Sequence, residues 1–228
     1  MRSVASPPLP GTTVDPLYPD SDGRPMGDTD FHSDALVWLR QALEDFFLLV
    51  PDVYVAMNIL FYYEQGNPSA RRDPDILVAR GVGKHKRRSY RLWEEKVLPR
   101  VFFEVASRKT WREDVGEKRQ LYARLGIKEY IIFDPEARYV KPPFQGFRLR
   151  HGVYEPMKLA RDGSLKSKEL GLRMVPEGNM LRLYDIKTGM PILTRAERAE
   201  QEQTRAAELT AENAALRAEL RRLRNGNA

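Results

Sequence analysis

The sequence predicts an α/β protein, in which a mixed sheet is flanked by helices and followed by a separate helical tail. Two short apolar runs, 76–78 and 101–103, each have a carboxylate at one end. An amphipathic segment then leads to a third apolar run, 130–133, and leucines recur every seven residues near the C-terminus. At 228 residues, 42% of them hydrophobic, the chain suits one domain of ordinary size with an appendage.

The composition excludes several classes of chemistry. With no cysteine, the chain has no disulfide, no thiolate nucleophile and no cysteine-bound zinc or iron–sulfur site. This absence fits a reducing compartment, so we expect a cytoplasmic protein. No apolar run approaches the length of a membrane span, and the N-terminus lacks the apolar segment of a signal peptide, so no membrane association is expected. The 38 basic and 32 acidic residues leave a net charge of +6, which permits a polyanionic partner.

Three regions are expected along the chain. Residues 1–28 are rich in Pro, Gly, Asp and Ser without hydrophobic periodicity, which predicts a loosely held arm. Residues 29–194 are expected to form the folded domain. Residues 195–228 change to a charged helical composition and are expected to form a C-terminal coiled-coil helix.

The first half of the domain is predicted to be a helix followed by strands. Apolar residues at helical spacing follow Asp30 or Ser33, the two candidate N-caps, and Pro51 ends the helix. A β-like pattern over 53–64 and a turn at 66–69 then predict an antiparallel return through 76–78.

A βαβ unit is predicted around the second helix. Thr110 and Glu113 have the spacing of a capping box, and Gly126 is a C-terminal stop signal. The strands on either side, 101–103 and 130–133, are therefore expected to be parallel. Residues 137–184 show short strand patterns and turns, which predict an antiparallel extension of the same sheet.

The C-terminal segment has the pattern of a short parallel coiled coil. Leu209, Leu216 and Leu223 fall at d, while Ala206, Asn213 and Leu220 fall at a. In this register Glu212 faces Arg217 and Glu219 faces Arg224 on the partner helix. The pattern predicts a homodimer, with a single exposed charged helix as the alternative.

A basic loop joins the two candidate acidic strands. It contains Lys84, Lys86, Arg87 and Arg88, interleaved with aromatic residues. A solvated surface loop and a phosphate-binding loop both fit this composition. Phosphate contact is a specific hypothesis because the loop directly joins the two acidic strands.

The acidic residues have the types and positions of a divalent-metal site. Asp75 and Glu104 can supply hard oxygen ligands for Mg²⁺, for which Mn²⁺ can substitute, and the carbonyl of Val105 can join them. Such a site beside a cation suits phosphodiester hydrolysis, with Lys118 orienting water or neutralising the phosphate. Asp114 and Tyr122 lie on the Lys118 face of the helix, where they can hold the lysine and contact the substrate.

These motifs resemble those of the Uma-two family of bacterial restriction-endonuclease-like proteins, within the PD-(D/E)XK nuclease superfamily. The resembling elements are Tyr18-Pro19, Pro74-Asp75, Glu104 to Ser107, Asp114, Lys118, Tyr122, Glu129-Tyr130, Asp134-Pro135, Leu170 to Leu172 and Asp185 with Gly189. The resemblance spans roughly residues 15–195 and implies a restriction-endonuclease-like fold with metal-dependent cutting of nucleic acid.

One position departs from the superfamily pattern. A lysine is expected two residues after the acidic strand residue, where this chain has Ala106, so Lys118 is expected to reach the same site from the helix. The sequence is therefore consistent with two functions. The first is a metal-dependent DNA endonuclease that acts as a homodimer. The second is an inactive nuclease-fold protein that serves as a nucleic-acid-binding or assembly module.

Overall fold

The computed structural model of the chain describes residues 15, 17–21 and 29–226. The described chain divides into two compact units, the first ending at Ile192 and the second beginning at Leu193. Within these described residues, no helix has both the length and the apolar character needed to cross a membrane.

The first helix, α1, spans Asp30–Phe46 and buries one apolar face. Its N-cap is Thr29, whose backbone is extended and whose hydroxyl accepts a hydrogen bond from the amide of His32. The expectation of Asp30 or Ser33 as the cap is wrong, because both residues already lie inside the first turn of the helix. The cap matters for the site because it fixes the position of His32.

The described residues of the first unit form three sheets. In chain order the strands are β1 Val53–Met57, β2 Phe61–Tyr62, β3 Arg71–Arg72, β4 Ile76–Arg80, β5 Tyr90–Arg91, β6 Val101–Val105, β7 Glu129–Phe133, β8 Phe144–Arg150, β9 Val153–Pro156, β10 Leu165–Ser167, β11 Leu172–Glu177 and β12 Met180–Asp185. The largest sheet has the order β1-β4-β6-β7-β8-β9. Its β6–β7 pair is parallel and the other pairs are antiparallel, so the predicted mixed sheet and βαβ unit are confirmed.

The region 137–184 is only partly the predicted extension of this sheet. Strands β8 and β9 continue the main sheet, whereas β10, β11 and β12 form a separate antiparallel sheet. Buried Glu129 links the two sheets, because it accepts hydrogen bonds from Arg148 on β8 and from Ser167 on β10. The strand patterns predicted β8, β9 and β12 but not β10 or β11, and local patterns do not encode which sheet each strand joins.

The helical connection between β6 and β7 is continuous but irregular. It runs through α3 Trp111–Glu113, a π-helical segment Asp114–Lys118 and α4 Arg119–Leu125, and a short α2 Leu92–Glu95 precedes β6. Gly126 ends α4 in the left-handed conformation, as predicted. The predicted capping box does not form, since the Thr110 hydroxyl lies beside Ser107 and caps no helix amide.

Both faces of the main sheet are covered, and strand alternation decides which residues face which layer. On β6, Val101, Phe103 and Val105 pack in the cluster that contains α1. Phe102, and Ala106 just after the strand, pack in the cluster that contains α4. Glu104 lies between Phe103 and Val105 and therefore points to the α4 side. This alternation is what directs the carboxylate toward Lys118.

The described part of the N-terminal region is held against the first unit. Tyr18 is buried and packs against Tyr62 and Trp93, and the Tyr62 hydroxyl donates a 2.6 Å hydrogen bond to the carbonyl of Pro19. The expectation of a loose arm is therefore wrong for residues 17–21. Asp15 is also held, by an ion pair with Arg91, while residues 1–14, 16 and 22–28 of the predicted arm lie outside the described residues.

The second unit is the helix α5, Arg195–Gly226. Thr194 and Glu197 form a reciprocal capping box: the Glu197 amide donates to the Thr194 hydroxyl, and the Thr194 amide donates to the Glu197 carboxylate. Leu209, Leu216 and Leu220 are 48%, 51% and 59% exposed, so the predicted apolar stripe is present on an uncovered helix. The predicted d position at Leu223 lies among residues whose side chains the structure does not describe.

Candidate active site

The antiparallel register of β4 and β6 brings Asp75 and Glu104 together. Ile76 pairs with Phe103, so one further step along the ladder places Asp75 opposite Glu104. The amide of Val105 donates a 2.6 Å hydrogen bond to Asp75 Oδ2, which fixes the carboxylate at this edge. Two acidic residues that are 29 positions apart in sequence therefore share one end of the sheet.

Glu104 is held by the side chains of the helical connection. Lys118 Nζ lies 2.8 Å from Glu104 Oε2, and the Tyr122 hydroxyl donates a 3.2 Å hydrogen bond to Oε1. The same ammonium lies 3.0 Å from Asp114 Oδ1. The predicted convergence of Asp114, Lys118 and Tyr122 is thus present, and we call Asp75, Glu104, Asp114 and Lys118 the carboxylate–lysine cluster.

Asp114 is a fully buried carboxylate with few partners. The Lys118 ammonium lies 3.0 Å from its Oδ1, and hydrogen bonding with Lys118 and Thr110 lowers the pKa of Asp114 against the larger effect of burial. Glu129 provides a contrast, since this equally buried carboxylate accepts bonds from Arg148, Ser167 and the amide of Lys168.

Charge is unbalanced within the cluster. One ammonium faces three carboxylates, so full ionisation would leave an excess of two negative charges. Burial raises the pKa of Asp75 to about 6, and it also raises the pKa values of Glu104 and Asp114, against the opposing effect of Lys118. Burial alone would lower the pKa of Lys118, but the carboxylates of Glu104 and Asp114 raise it. The lysine is therefore charged, and the carboxyl groups compete for protons or cations.

His32 is a member of the site that sequence reasoning missed. It lies in the first turn of α1, where it is buried, and its Nε2 lies 3.9 Å from Asp75 Oδ2. Its positive form would favour ionised Asp75, which is consistent with its lowering effect on the Asp75 pKa. A signal was available, because His32 precedes the buried residues Leu36 and Leu39 at helical spacing and therefore shares their face.

The structure bears on the roles predicted for Asp114, Tyr122 and Val105. Asp114 and Tyr122 are fully buried, and they position Lys118 and Glu104 respectively, while their contact with a substrate stays a prediction. Val105 contributes its amide to Asp75, while the predicted ligand role of its carbonyl stays a prediction.

The basic loop is largely engaged with the protein itself. Lys84 donates hydrogen bonds of 2.5 and 2.9 Å to the carbonyls of Phe47 and Leu48 at the end of α1. Arg87 forms a two-point contact with Glu95 at 2.6 and 2.9 Å, and Arg88 pairs with Asp20. Lys86 is exposed. The loop therefore does not present four free cations, because at least three of them stabilise local structure.

The chemistry of the cluster fits a hard divalent cation, although the geometry is not that of a preformed metal cage. Among the described residues, no group of three acidic or histidine side chains is arranged to hold an ion. The Lys118 ammonium instead lies between Glu104 and Asp114. The excess of carboxylates over the one ammonium is nevertheless a charge arrangement that a divalent cation with oxygen ligands would offset.

The described chain is an α/β protein with a mixed sheet, flanking helices and two carboxylates at one end of that sheet, Asp75 before β4 and Glu104 on β6. The chain belongs to the Uma2 (Uma-two) family, described as "Putative restriction endonuclease", whose model matches residues 18–177. It is also similar to a solved structure described as "a putative nuclease belonging to DUF820" from Anabaena variabilis ATCC 29413, with 13% sequence identity and a TM-score of 0.46. That similarity covers 66% of this chain and 80% of the other. The search of curated proteins found no match.

Proposed function

We propose that this protein is a metal-dependent endonuclease that hydrolyses phosphodiester bonds in DNA. The observation that supports this proposal most directly is the carboxylate–lysine cluster, in which Asp75 and Glu104 meet at one sheet end beside a buried ammonium. The nuclease family of the chain adds independent support.

Phosphodiester hydrolysis requires compensation of negative charge on the phosphoryl group and an activated water. A bound Mg²⁺ or Mn²⁺ would supply a Lewis acid and lower the pKa of water. In this chain Asp75 and Glu104 are the residues proposed to hold that ion. The side chain of Asp75 is 18% exposed, which makes it the more accessible of the two carboxylates, since Glu104 is 1% exposed.

Lys118 is proposed to be the catalytic cation, because position 106, where the superfamily pattern has a lysine, is an alanine in this chain. Its ammonium reaches Glu104 from the helix, so it approaches the same strand end that a lysine two residues after Glu104 would approach. Asp114 also holds the ammonium, at 3.0 Å, and Tyr122 restrains the other oxygen of Glu104. These contacts keep a flexible lysine in one position, which reduces the cost of ordering it during the reaction.

The test is a nuclease assay combined with calorimetry. Wild-type protein should cut duplex DNA when Mg²⁺ or Mn²⁺ is present, and Mn²⁺ binding should weaken strongly in Asp75→Asn and Glu104→Gln. Glu129→Gln is a matched control, because Glu129 is a buried carboxylate outside the cluster. Wild-type Mn²⁺ affinity in both cluster variants would show that the metal is bound elsewhere or not at all.

A second candidate is a nucleic-acid-binding or assembly module that has lost catalysis. The observation that favours it is the engagement of Lys118 with both Glu104 and Asp114, together with Ala106 in the usual lysine position. This candidate predicts DNA binding without cleavage on any nucleic-acid form and in any divalent metal. The same assay therefore separates the two functions.

We further propose that the C-terminal helix pairs with a second copy to form a homodimer. The half-exposed Leu209, Leu216 and Leu220 lie along a heptad stripe that a parallel partner would bury. The Asn213 side-chain amide donates to the carbonyl of Leu209 in the single helix, and pairing would place Asn213 opposite its own copy. Two nuclease domains joined in this way could act on both strands of a duplex.

A further inference from the structure

We propose that the turn 107–112, between β6 and α4, binds the phosphate backbone of duplex DNA beside the active site. This inference rests on the proposed nuclease function and assigns the cations that hold its substrate. Phosphate contact is thereby assigned to Arg108, Lys109 and Arg112 instead of to the basic loop 84–88. We call the segment 107–112 that carries these three cations the basic turn.

The basic turn is rigid at its base. The Ser107 hydroxyl is 3.2 Å from the Thr110 hydroxyl and accepts a 3.3 Å hydrogen bond from the amide of Lys109. The carbonyl of Ser107 accepts from the amide of Trp111 at 3.2 Å. Because Ser107 is buried while Arg108 and Lys109 are exposed, these bonds fix the backbone and direct the two cations outward.

The cations of the basic turn have no acidic partner among the described residues, in contrast to those of the loop 84–88. Arg108, Lys109 and Arg112 are exposed and form no ion pair there, and Arg112 stacks 4.7 Å from the ring centre of Trp111. Glu113 is the acidic residue that follows, so the segment 107–113 carries three positive charges and one negative charge. No acidic residue in the described part of the chain outside this segment offsets its net charge of +2.

The chain connectivity keeps the basic turn close to the cluster. Arg108 follows Glu104 by four residues, so their Cα atoms are at most about 14 Å apart. At the other end of the turn, Asp114 lies two residues beyond Arg112 and contacts the Lys118 ammonium. Both ends of the basic turn are therefore anchored in the site.

DNA fits this surface better than a small anion. Each strand of a duplex carries one phosphate per about 3.4 Å of its axis, so a strand crossing the cluster presents several phosphates within the reach of the turn. Three separated, solvent-exposed cations match such a row, whereas a single small anion is bound by donors that converge on one point. The Trp111 ring is partly buried against the core, and its contact with the Arg112 guanidinium helps to position that cation on the turn.

The test compares two triple variants in a salt titration of duplex binding. The first variant neutralises the basic turn with Arg108→Gln, Lys109→Gln and Arg112→Gln. Lys158→Gln, Arg161→Gln and Lys166→Gln remove the same charge from exposed positions around β9 and β10, and thus control for net charge. Binding is measured by fluorescence anisotropy with a labelled duplex in Ca²⁺, and circular dichroism melting verifies that each variant is folded.

Neutralising the basic turn should lower the affinity for duplex DNA at low salt. The slope of log affinity against log salt concentration should become shallower by about 2 to 3. The control variant should keep a slope within about 1 of the wild type. Equal slopes in the two triple variants and the wild type would overturn the basic turn as the phosphate-binding surface, while leaving the nuclease proposal intact. Failure of the wild type to bind or cut any nucleic acid would overturn both proposals.

Discussion

Lys118 and Glu104 form a buried ion pair with a 2.8 Å contact, in which a helix residue reaches the end of a central strand. Asp114 also contacts the same ammonium. The lysine thus has two roles in this structure: it offsets buried negative charge, and it is the candidate catalytic cation. The first role makes the second one testable, because stability and activity respond differently to substitution.

Replacing Lys118 with methionine should destabilise the protein and abolish cleavage. Removal of the ammonium leaves Glu104 and Asp114 buried without a counter-charge, which costs about 3–5 kcal/mol of unfolding free energy when a buried pair is broken. Urea unfolding in EDTA measures this loss, and Mn²⁺ should recover part of it. An inactive variant that is as stable as the wild type would show that Lys118 acts in catalysis and not in stability. A variant that still cleaves DNA would show that Lys118 is not a catalytic residue.

The stability of the metal-free protein should fall as pH rises from about 4 toward 6. Because the pKa of Asp75 is raised from 3.8 to about 6 in the folded state, the folded protein binds this proton more tightly than the unfolded chain in that interval. The stabilisation from neutral Asp75 is therefore complete at low pH and lost as the carboxyl ionises. The predicted slope should be shallower in Asp75→Asn, and an identical slope in the two proteins would assign the effect to other groups.

Replacing Tyr122 with phenylalanine should loosen Glu104 without disturbing the core. The ring packs 4.6 Å from the Phe102 ring centre and would remain, while the 3.2 Å hydrogen bond to Glu104 Oε1 would be lost. We expect a loss of about 1–3 kcal/mol in unfolding free energy and a weaker cleavage activity. Tyr154→Phe is the control, since its hydroxyl bonds to the carbonyl of Ile127 outside the cluster. Equal cleavage in both variants would contradict a positioning role for Tyr122.

Substitutions in the basic loop should separate stability from DNA binding. Arg87→Gln removes the two-point contact with Glu95, and the Arg87 side chain is only 3% exposed, so the variant should lose about 3–5 kcal/mol of stability. Lys86→Gln at an exposed position should change stability by less than about 0.5 kcal/mol. Thermal unfolding measures both. If Arg87→Gln melts as the wild type does but binds DNA more weakly, the phosphate-binding interpretation of the loop would be restored.

Removal of residues 196–228 should convert a dimer into a monomer. The exposed leucines of α5 must supply most of the association energy, because each exposed ion pair contributes only about 0.2–1 kcal/mol. Sedimentation measures the mass of both proteins, and Leu216→Glu in the full chain tests the stripe without a deletion. A monomeric full-length chain, or a dimer that survives both changes, would reject the coiled coil.

Much of the site was predictable because its residues interrupt clear local patterns. A carboxylate at the end of an apolar strand is costly unless it has a partner, so Glu104 was a strong candidate from its neighbours alone. Asp114, Lys118 and Tyr122 were recognisable by spacing, although the helix turned out to contain a π-helical segment. The helix α1, the parallel pair of β6 and β7, and the stop at Gly126 followed from periodicity and turn chemistry in the same way.

The sequence by itself determined the types of elements and the acidic and basic residues that could form a site, because burial periodicity and capping act over a few residues. Only the tertiary structure decided which of those charges face each other. The β4–β6 register places Asp75 opposite Glu104, α1 brings His32 to Asp75, and Glu95 and Asp20 engage Arg87 and Arg88. These contacts join residues that are distant in sequence, and their energy depends on burial and geometry that exist only after the sheet and helices have packed.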